Sequence, residues 1–258
     1  MSESLFGPDS MTWRINRESV LLLGGRATLL MQLAHPLVAA GVADHSRFRD
    51  DPTRRLLRTL ETMYEIVFGD TEAAEAAAAR VNAVHDHVRG VAPDGTEYSA
   101  RDPRLLLWVH ATLVDSALRV YEGCVASLST EEANAYYEES KVIAKLFGVP
   151  ETTTPETLLD LRAWMAECVA SGVVVVTPLA RELAEPIIRP LRIVPRRIAR
   201  ASAIVTAALL PEAIREGYGL KLGRSRSAVL ALGGRAARLV VPRVPEFLRT
   251  VPLQRASA

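Results

Sequence analysis

The stretch EAAEAAAARVNAVHDHV, residues 72–88, is rich in alanine, the residue with the highest intrinsic helix propensity. Apolar residues recur at helical spacing through most of the remaining chain. The helices predicted from this spacing and from capping residues cover about residues 17–43, 52–69, 71–90, 103–127, 130–146, 155–171, 201–217 and 225–240. Pro36 lies inside the first of them, so we expect that helix to bend or break near His35. The sequence therefore predicts an all-α fold.

A sheet is not expected, because the one run of β-branched residues, Val173–Val176, has no partner strand. Residues 186–197 contain three prolines and form a predicted connector, but the helices after it have too few apolar residues for a core of their own. We therefore expect one domain over residues 1–258, with flexible ends at residues 1–16 and 250–258.

Composition narrows the class of protein. Hydrophobic residues make up 49% of the chain and charged residues 24%, which is typical of soluble globular proteins. No apolar stretch approaches the ~20 residues that a membrane-spanning helix needs, and the first residues, MSESLFGPDS, do not resemble a secretion signal. The expected location is cytoplasmic. The two cysteines occur without a CxxC or CxxCH motif, which predicts neither a structural disulfide nor covalently attached haem.

The charge is distributed unevenly along the chain. Residues 189–258 hold 14 Lys and Arg against 3 Asp and Glu, which from totals of 31 and 30 leaves 17 against 27 for residues 1–188. A basic segment can bind anionic membranes or nucleic acid, and it can equally pair with the acidic body of its own fold. We expect no nucleic-acid partner, and peripheral membrane contact through the basic C-terminal part stays an alternative to internal pairing.

Histidines on apolar helix faces are the candidate chemical groups, because the motifs GxGxxG, GxxxxGK[ST], HExxH and GxSxG are all absent. The predicted buried stripe of the alanine-rich helix consists of Val81, Val84, His85 and Val88. His87 faces the opposite side, while His110 and His35 lie on similar apolar faces. Such an imidazole is either a core histidine satisfied by a hydrogen bond or the ligand of a haem iron, and spacing does not choose among the three.

Arg55, Arg58 and Thr59 lie within one turn of the second predicted helix, on neighbouring faces. Two cations and a hydroxyl so close together suit haem propionates, another anionic ligand or a bound oxygen species. The alternative is an ordinary solvated face, with the arginines paired to Glu61 and Glu65.

These features resemble the rubber oxygenase and mycophenolic-acid-pathway (MpaB-type) oxygenase family, which includes the latex-clearing proteins. The stretches that carry the resemblance are, in chain order, HPLVAAGVADHSRF, DDPTRRLLRT, HDHVRG, LLLWVHATL, YYEES and LPEAIREGYGL. The resemblance implies a helical, globin-like core that holds non-covalent haem b, and oxidative cleavage of isoprenoid double bonds by dioxygen. It also implies His85 as the proximal iron ligand, because the family's histidine falls in an H-x-x-V-R element, here residues 85–89.

The distal R-x-x-K-T element of the latex-clearing members is matched by Arg55, Arg58 and Thr59, with Arg58 in place of the lysine. A guanidinium stays protonated and does not readily ligate iron, so a lysine-capped iron is not expected. We therefore expect a haem-b-dependent oxygenase in which His85 holds the iron and dioxygen binds opposite. The two arginines and Thr59 would polarise the oxygen or anchor propionates, with His35 and His110 as further haem contacts.

The expected substrate is a lipophilic small molecule, unsaturated and isoprenoid-like, because the chain is rich in Leu, Val and Ala and the family cleaves alkenes. Two alternatives come from other functional classes. One is a haem-binding gas sensor or carrier without turnover. The other is a haem-free helical protein that binds lipid or a membrane surface.

Overall fold

The computed structural model describes residues 4–45, 52–188, 196–223 and 233–251, with the backbone alone for residues 52–57 and 196–200. This part of the chain is all-α except for one short hairpin, which confirms the predicted fold class. Its helices are α1 (Met11–Asn16), α2 (Gly25–Leu33), α3 (Pro36–His45), α4 (Pro52–Phe68), α5 (Thr71–His85), α6 (Pro103–Cys124), α7 (Thr130–Leu146), α8 (Leu158–Ala170), α9 (Pro178–Ile188), α10 (Arg196–Leu209), α11 (Glu212–Gly217), α12 (233–240) and α13 (Glu246–Arg249). Short 3-10 turns cover Ser19–Gly24, Glu151–Thr153 and Val241–Arg243.

Helix α6 lies at the centre of the main core and is buried along most of its length. It begins at Pro103, whose missing N–H costs nothing in the first turn of a helix. Trp108 is only 1% exposed, and its indole N–H donates to the carbonyl of Met31 at 3.1 Å. This hydrogen bond satisfies the polar atom of a large core side chain and fixes α2 against α6.

The apolar segment before α4 breaks where the sequence predicts. The 3-10 turn Ser19–Gly24 leads into α2, and the chain then turns by 100° between α2 and α3. Pro36 begins α3, since proline cannot continue the hydrogen-bond ladder of α2 but fits the first turn of a new helix. Within the described residues no single helix is long and apolar enough to cross a membrane, although this bent pair meets that test jointly by length and composition.

Capping side chains set the bounds of α7 and α8. Ser129 and Glu132 form a reciprocal capping box at the start of α7, and Thr157 and Asp160 form one at the start of α8. The observed helices agree with the predicted ranges 130–146 and 155–171 to within a few residues at each end.

Three elements differ from the sequence prediction. The strands Arg89–Val91 and Glu97–Ser99 form an antiparallel hairpin, although no sheet was expected. Helix α9 lies where the predicted connector begins and contains Pro186 near its end. The predicted helix over 201–217 is divided into α10 and α11, because Pro211 cannot donate an amide hydrogen to a continuous helix.

A second, smaller apolar cluster lies between α1, α4, α5 and α7. Glu139 of α7 accepts hydrogen bonds from the backbone amides of Met11 and Thr12, which are otherwise without partners at the start of a helix. Val251 is buried in the same cluster. The single-domain organisation, the flexible ends and the globin-like character of the core stay predictions.

Candidate functional site

Helices α4 and α5 form an antiparallel pair that packs along its length. Only Gly69 and Asp70 separate the two helices, and so short a link forces the second to run back along the first. The Asp70 side chain caps α5 by accepting a hydrogen bond from the Ala73 amide at 2.8 Å. The start of α4 therefore lies beside the end of α5.

An ion pair also joins the two helices. Glu65 of α4 pairs with Arg80 of α5. Counted from the Gly69–Asp70 link at about 1.5 Å per residue, Thr59 lies about 15 Å along α4 and His85 about 22 Å along α5, beside the first turns of α4. The fold thus brings the predicted element at the start of α4 and His85 to one end of the helix pair.

Arg58 is exposed and Thr59 is half-buried in that first part of α4. Arg55 belongs to the same turns of the helix, and its side chain lies outside the described residues. The structure therefore gives a guanidinium facing solvent and a hydroxyl closer to the protein interior.

His85 is the last residue of α5 and is half-buried, with its Nδ1 atom enclosed by the protein. His87 is exposed, as predicted. Val84 is 61% exposed, so its placement on the buried stripe was wrong. The buried stripe of α5 is instead formed by the alanines of the first half of the helix. Val84 lies at the edge of this stripe, whereas His85 lies on its continuation.

The last turn of α5 is held by side chains on both sides of His85. The Asn82 amide donates to the carbonyl of Leu146 at 2.8 Å, near the end of α7. Arg101 donates to Asn82 Oδ1 at 2.7 Å, and its Nε lies 3.1 Å from Asp86 Oδ1. Arg101 therefore joins the residues that precede and follow His85.

The β-hairpin beyond α5 is fastened to α3. The Tyr98 hydroxyl donates a short hydrogen bond to Asp44, and burial, with the Asp44 carboxylate as the second cause, raises the pKa of Tyr98 to about 12. Gly90 lies directly opposite Tyr98 in the hairpin, and a Cβ at Gly90 would come within 2.7 Å of the Tyr98 hydroxyl. His45 is exposed, and its Nε2 donates to the Arg89 carbonyl at 3.1 Å.

His35 and His110 are buried in the main core, each with a protein partner. The Leu37 amide donates to His35 Nδ1 at 3.3 Å, and His110 Nε2 lies 3.3 Å from the Ser140 hydroxyl. Burial lowers the pKa of each imidazole to about 4, so both are neutral at pH 7. Both fit the description of core histidines satisfied by hydrogen bonds, and their contact with a haem stays a prediction.

The chemistry of the donor set at this end of the α4–α5 pair fits a haem. Among the described residues, no group of three or more His, Cys, Asp or Glu is placed to hold a bare metal ion. A haem iron takes four nitrogens from the porphyrin and needs only one or two protein ligands. One half-buried imidazole, with a guanidinium and a hydroxyl on the neighbouring helix, meets that need.

Sequence reasoning did not find the residues that support His85. Asn82, Arg101 and Tyr98 belong to no motif, and their partners are distant in sequence. The hairpin had a usable signal in Pro93, Asp94 and Gly95, because such a turn between two short extended segments is typical of a hairpin.

Comparison with known proteins gives one family and two relatives. Residues 12–240 match the family model described as ER-bound oxygenase mpaB/B'/Rubber oxygenase, catalytic domain. Uncharacterized protein Mb2261 of Mycobacterium bovis and uncharacterized protein Rv2237 of Mycobacterium tuberculosis are each 32% identical to this chain over 134 residues, 50% of this chain. The match spans about half the length of these relatives (52%). No solved structure matches the chain.

Proposed function

Since the chain belongs to the ER-bound oxygenase mpaB/B' and rubber oxygenase catalytic-domain family, we propose that it is a haem-b-dependent oxygenase with His85 as the iron ligand. Membership of the family makes it an oxygenase-type catalytic domain. The observation that carries the haem proposal is the position of His85, half-buried at the end of α5 and beside the start of α4. In this proposal the His85 imidazole would hold the iron, at the end of a helix that α4 covers.

The neighbouring helix supplies two further roles. We assign the exposed Arg58 to a haem propionate, because a guanidinium pairs with a carboxylate in a planar, two-point geometry. Thr59 is more enclosed, and we assign its hydroxyl to hydrogen bonding with bound oxygen. Bound haem supplies the iron that activates dioxygen, and the protein holds it, orients it and limits the access of water.

The proposed substrate is a lipophilic alkene of isoprenoid type. In the proposed reaction the carbon–carbon double bond and the O–O bond both break, and each alkene carbon takes one oxygen atom. Two carbonyl compounds result, and no further reductant is required. Support for this substrate class comes from the rubber oxygenases with which the chain shares its family model.

Turnover tests this proposal directly. The haem-loaded protein is incubated with squalene under ¹⁸O₂, and we expect aldehyde or ketone products that carry the label. Thr59→Ala should slow product formation while haem content is unchanged, and Arg58→Gln should weaken haem binding while the spectrum of the bound haem is retained. A haem-loaded protein that binds dioxygen reversibly and forms no product from squalene or from shorter alkenes would instead establish the gas-carrier alternative.

A further inference from the structure

Large apolar side chains are exposed along the last described part of the chain, residues 233–251, which we call the C-terminal arm. Leu239 is 62% exposed, Val240 60%, Phe247 71% and Leu248 64%. Single exposed apolar residues are normal on a protein surface, but four of them within ten residues indicate a surface that contacts something apolar.

The same arm also carries arginine side chains. Within the described ranges, Arg235, Arg238 and Arg243 form no ion pair with a carboxylate. Arg238 donates to the Ser127 hydroxyl at 3.0 Å, and Arg243 donates to the carbonyl of Leu239. The one acidic residue of the arm, Glu246, is paired with Arg17 at 2.9 Å. The arm therefore presents uncompensated positive charge beside its apolar side chains.

The arm is fastened to the body of the protein at both ends. Arg249 lies 3.3 Å from the buried carboxylate of Glu18, and the Val251 amide donates to the Arg17 carbonyl at 2.9 Å. At the other end of the arm, Gly234 packs closely on the backbone of Gly123. A Cβ added at Gly234 would lie 2.9 Å from the Gly123 carbonyl oxygen. The exposed side chains are thus displayed on a fixed surface.

The 3-10 turn Ser19–Gly24 also packs on α6. Gly24 packs on Val120 of α6, one helical turn from the Gly123 that holds the arm. Leu22 and Leu23 of the same turn are 47% and 45% exposed. Exposed leucines therefore also occur on a second segment that packs on α6 near Gly123.

We propose that the C-terminal arm docks the protein onto the surface of an anionic lipid bilayer, with Phe247 and Leu248 entering the interface and the arginines facing lipid phosphates. Arginines rimming exposed aromatic and aliphatic side chains are the composition that interfacial membrane contacts use. A symmetric contact with a second copy would bring Arg235, Arg238 and Arg243 toward their own counterparts, which like-charge repulsion disfavours. The proposal does not depend on haem, and it would place the site near a source of lipophilic molecules.

Co-sedimentation of the full chain with vesicles tests the proposal. We expect binding to vesicles of mixed phosphatidylcholine and phosphatidylglycerol, weakening as salt is raised, and little binding to phosphatidylcholine alone. Each arginine near an anionic surface contributes about fivefold to partitioning, so Arg235→Glu with Arg243→Glu should reduce binding by far more than tenfold. Phe247→Glu with Leu248→Glu should reduce it to a similar extent.

Leu159→Glu is the matched control, because Leu159 is 76% exposed on α8, outside the arm. It should bind vesicles like the unaltered protein, and circular dichroism should show that every variant is folded. The proposal is overturned if the unaltered protein does not sediment with anionic vesicles, or if the arm variants sediment as well as Leu159→Glu. It is also overturned if size-exclusion chromatography shows a dimer that Phe247→Glu with Leu248→Glu dissociates without any loss of vesicle binding. Haem loading is measured on the same samples, so failure of this proposal is separate from failure of the proposed function.

Discussion

Replacing Asn82 by Ala should lower both the stability of the protein and its affinity for haem. The substitution removes a hydrogen bond to the Leu146 carbonyl at 2.8 Å and one from Arg101 at 2.7 Å. Two such bonds contribute about 1–3 kcal/mol, and the higher helix propensity of alanine offsets about 0.5 kcal/mol. We expect a net loss of about 1–2 kcal/mol in the free energy of unfolding, measured by urea denaturation at pH 7.

The effect on haem follows from the position of Asn82 one turn before His85. In Asn82→Ala the loosened last turn of α5 must be ordered again when the imidazole ligates iron. If this ordering costs about 1 kcal/mol of the free energy of haem binding, haem affinity falls roughly fivefold. Haemin titration followed at the Soret band measures this change.

Asn134→Ala provides a matched control for this effect. Asn134 also makes two hydrogen bonds, accepting from the Leu158 amide at 3.1 Å and donating to the Thr130 carbonyl at 3.0 Å, at the opposite end of α7 from Leu146. It should cost similar stability and leave haem affinity unchanged. Equal weakening of haem binding by both variants, or none by Asn82→Ala, would refute the argument that Asn82 positions His85.

Three further predictions concern the fold around the site. Gly90→Ala should destabilise the protein by about 1–3 kcal/mol in urea denaturation, because the new Cβ would lie 2.7 Å from the Tyr98 hydroxyl. Leu118→Ala should cost about 2–5 kcal/mol in the same measurement, since Leu118 is fully buried in the main core. Burial holds the pKa of His35 and His110 at about 4, below the ordinary 6.5, so the unfolded chain takes up their protons first as the pH falls. As the pH falls from 6.5 to 4, the free energy of unfolding should therefore decrease by up to about 3 kcal/mol per histidine. Urea denaturation at successive pH values measures this decrease, and His110→Gln should make the dependence of the unfolding free energy on pH less steep.

Helix ends that are set by side chains close in sequence could be predicted from the sequence. The capping box of Ser129 and Glu132 predicts the start of α7, and Pro36 predicts the break before α3. Helix α9 could not be predicted, because Pro186 argues against a helix on local grounds. Burial of its apolar face, including Leu183 and Ile187, stabilises the helix despite the lost hydrogen bond, and that burial depends on tertiary packing.

Some features of the candidate site could likewise be predicted from the sequence, and others could not. The alanine-rich composition of α5 predicts the helix that carries His85, and the short link at Gly69 and Asp70 makes the pairing with α4 foreseeable. The exposure of Val84 was not foreseeable, because the edge of the buried stripe depends on where the neighbouring helices pack. The contacts of Arg101 with Asn82 and Asp86 arise only when the hairpin folds back toward α5.

Ligation of haem iron by His85 is measured by a haemin titration of four proteins, namely the unaltered protein, His85→Ala, His87→Ala and His110→Ala. We expect a stoichiometric Soret band and a pyridine haemochrome of haem b for the unaltered protein and for His87→Ala. The band should be lost or strongly altered in His85→Ala, whereas His110→Ala should retain it. No haem binding by the unaltered protein, or loss of haem in His110→Ala alone, would contradict the claim.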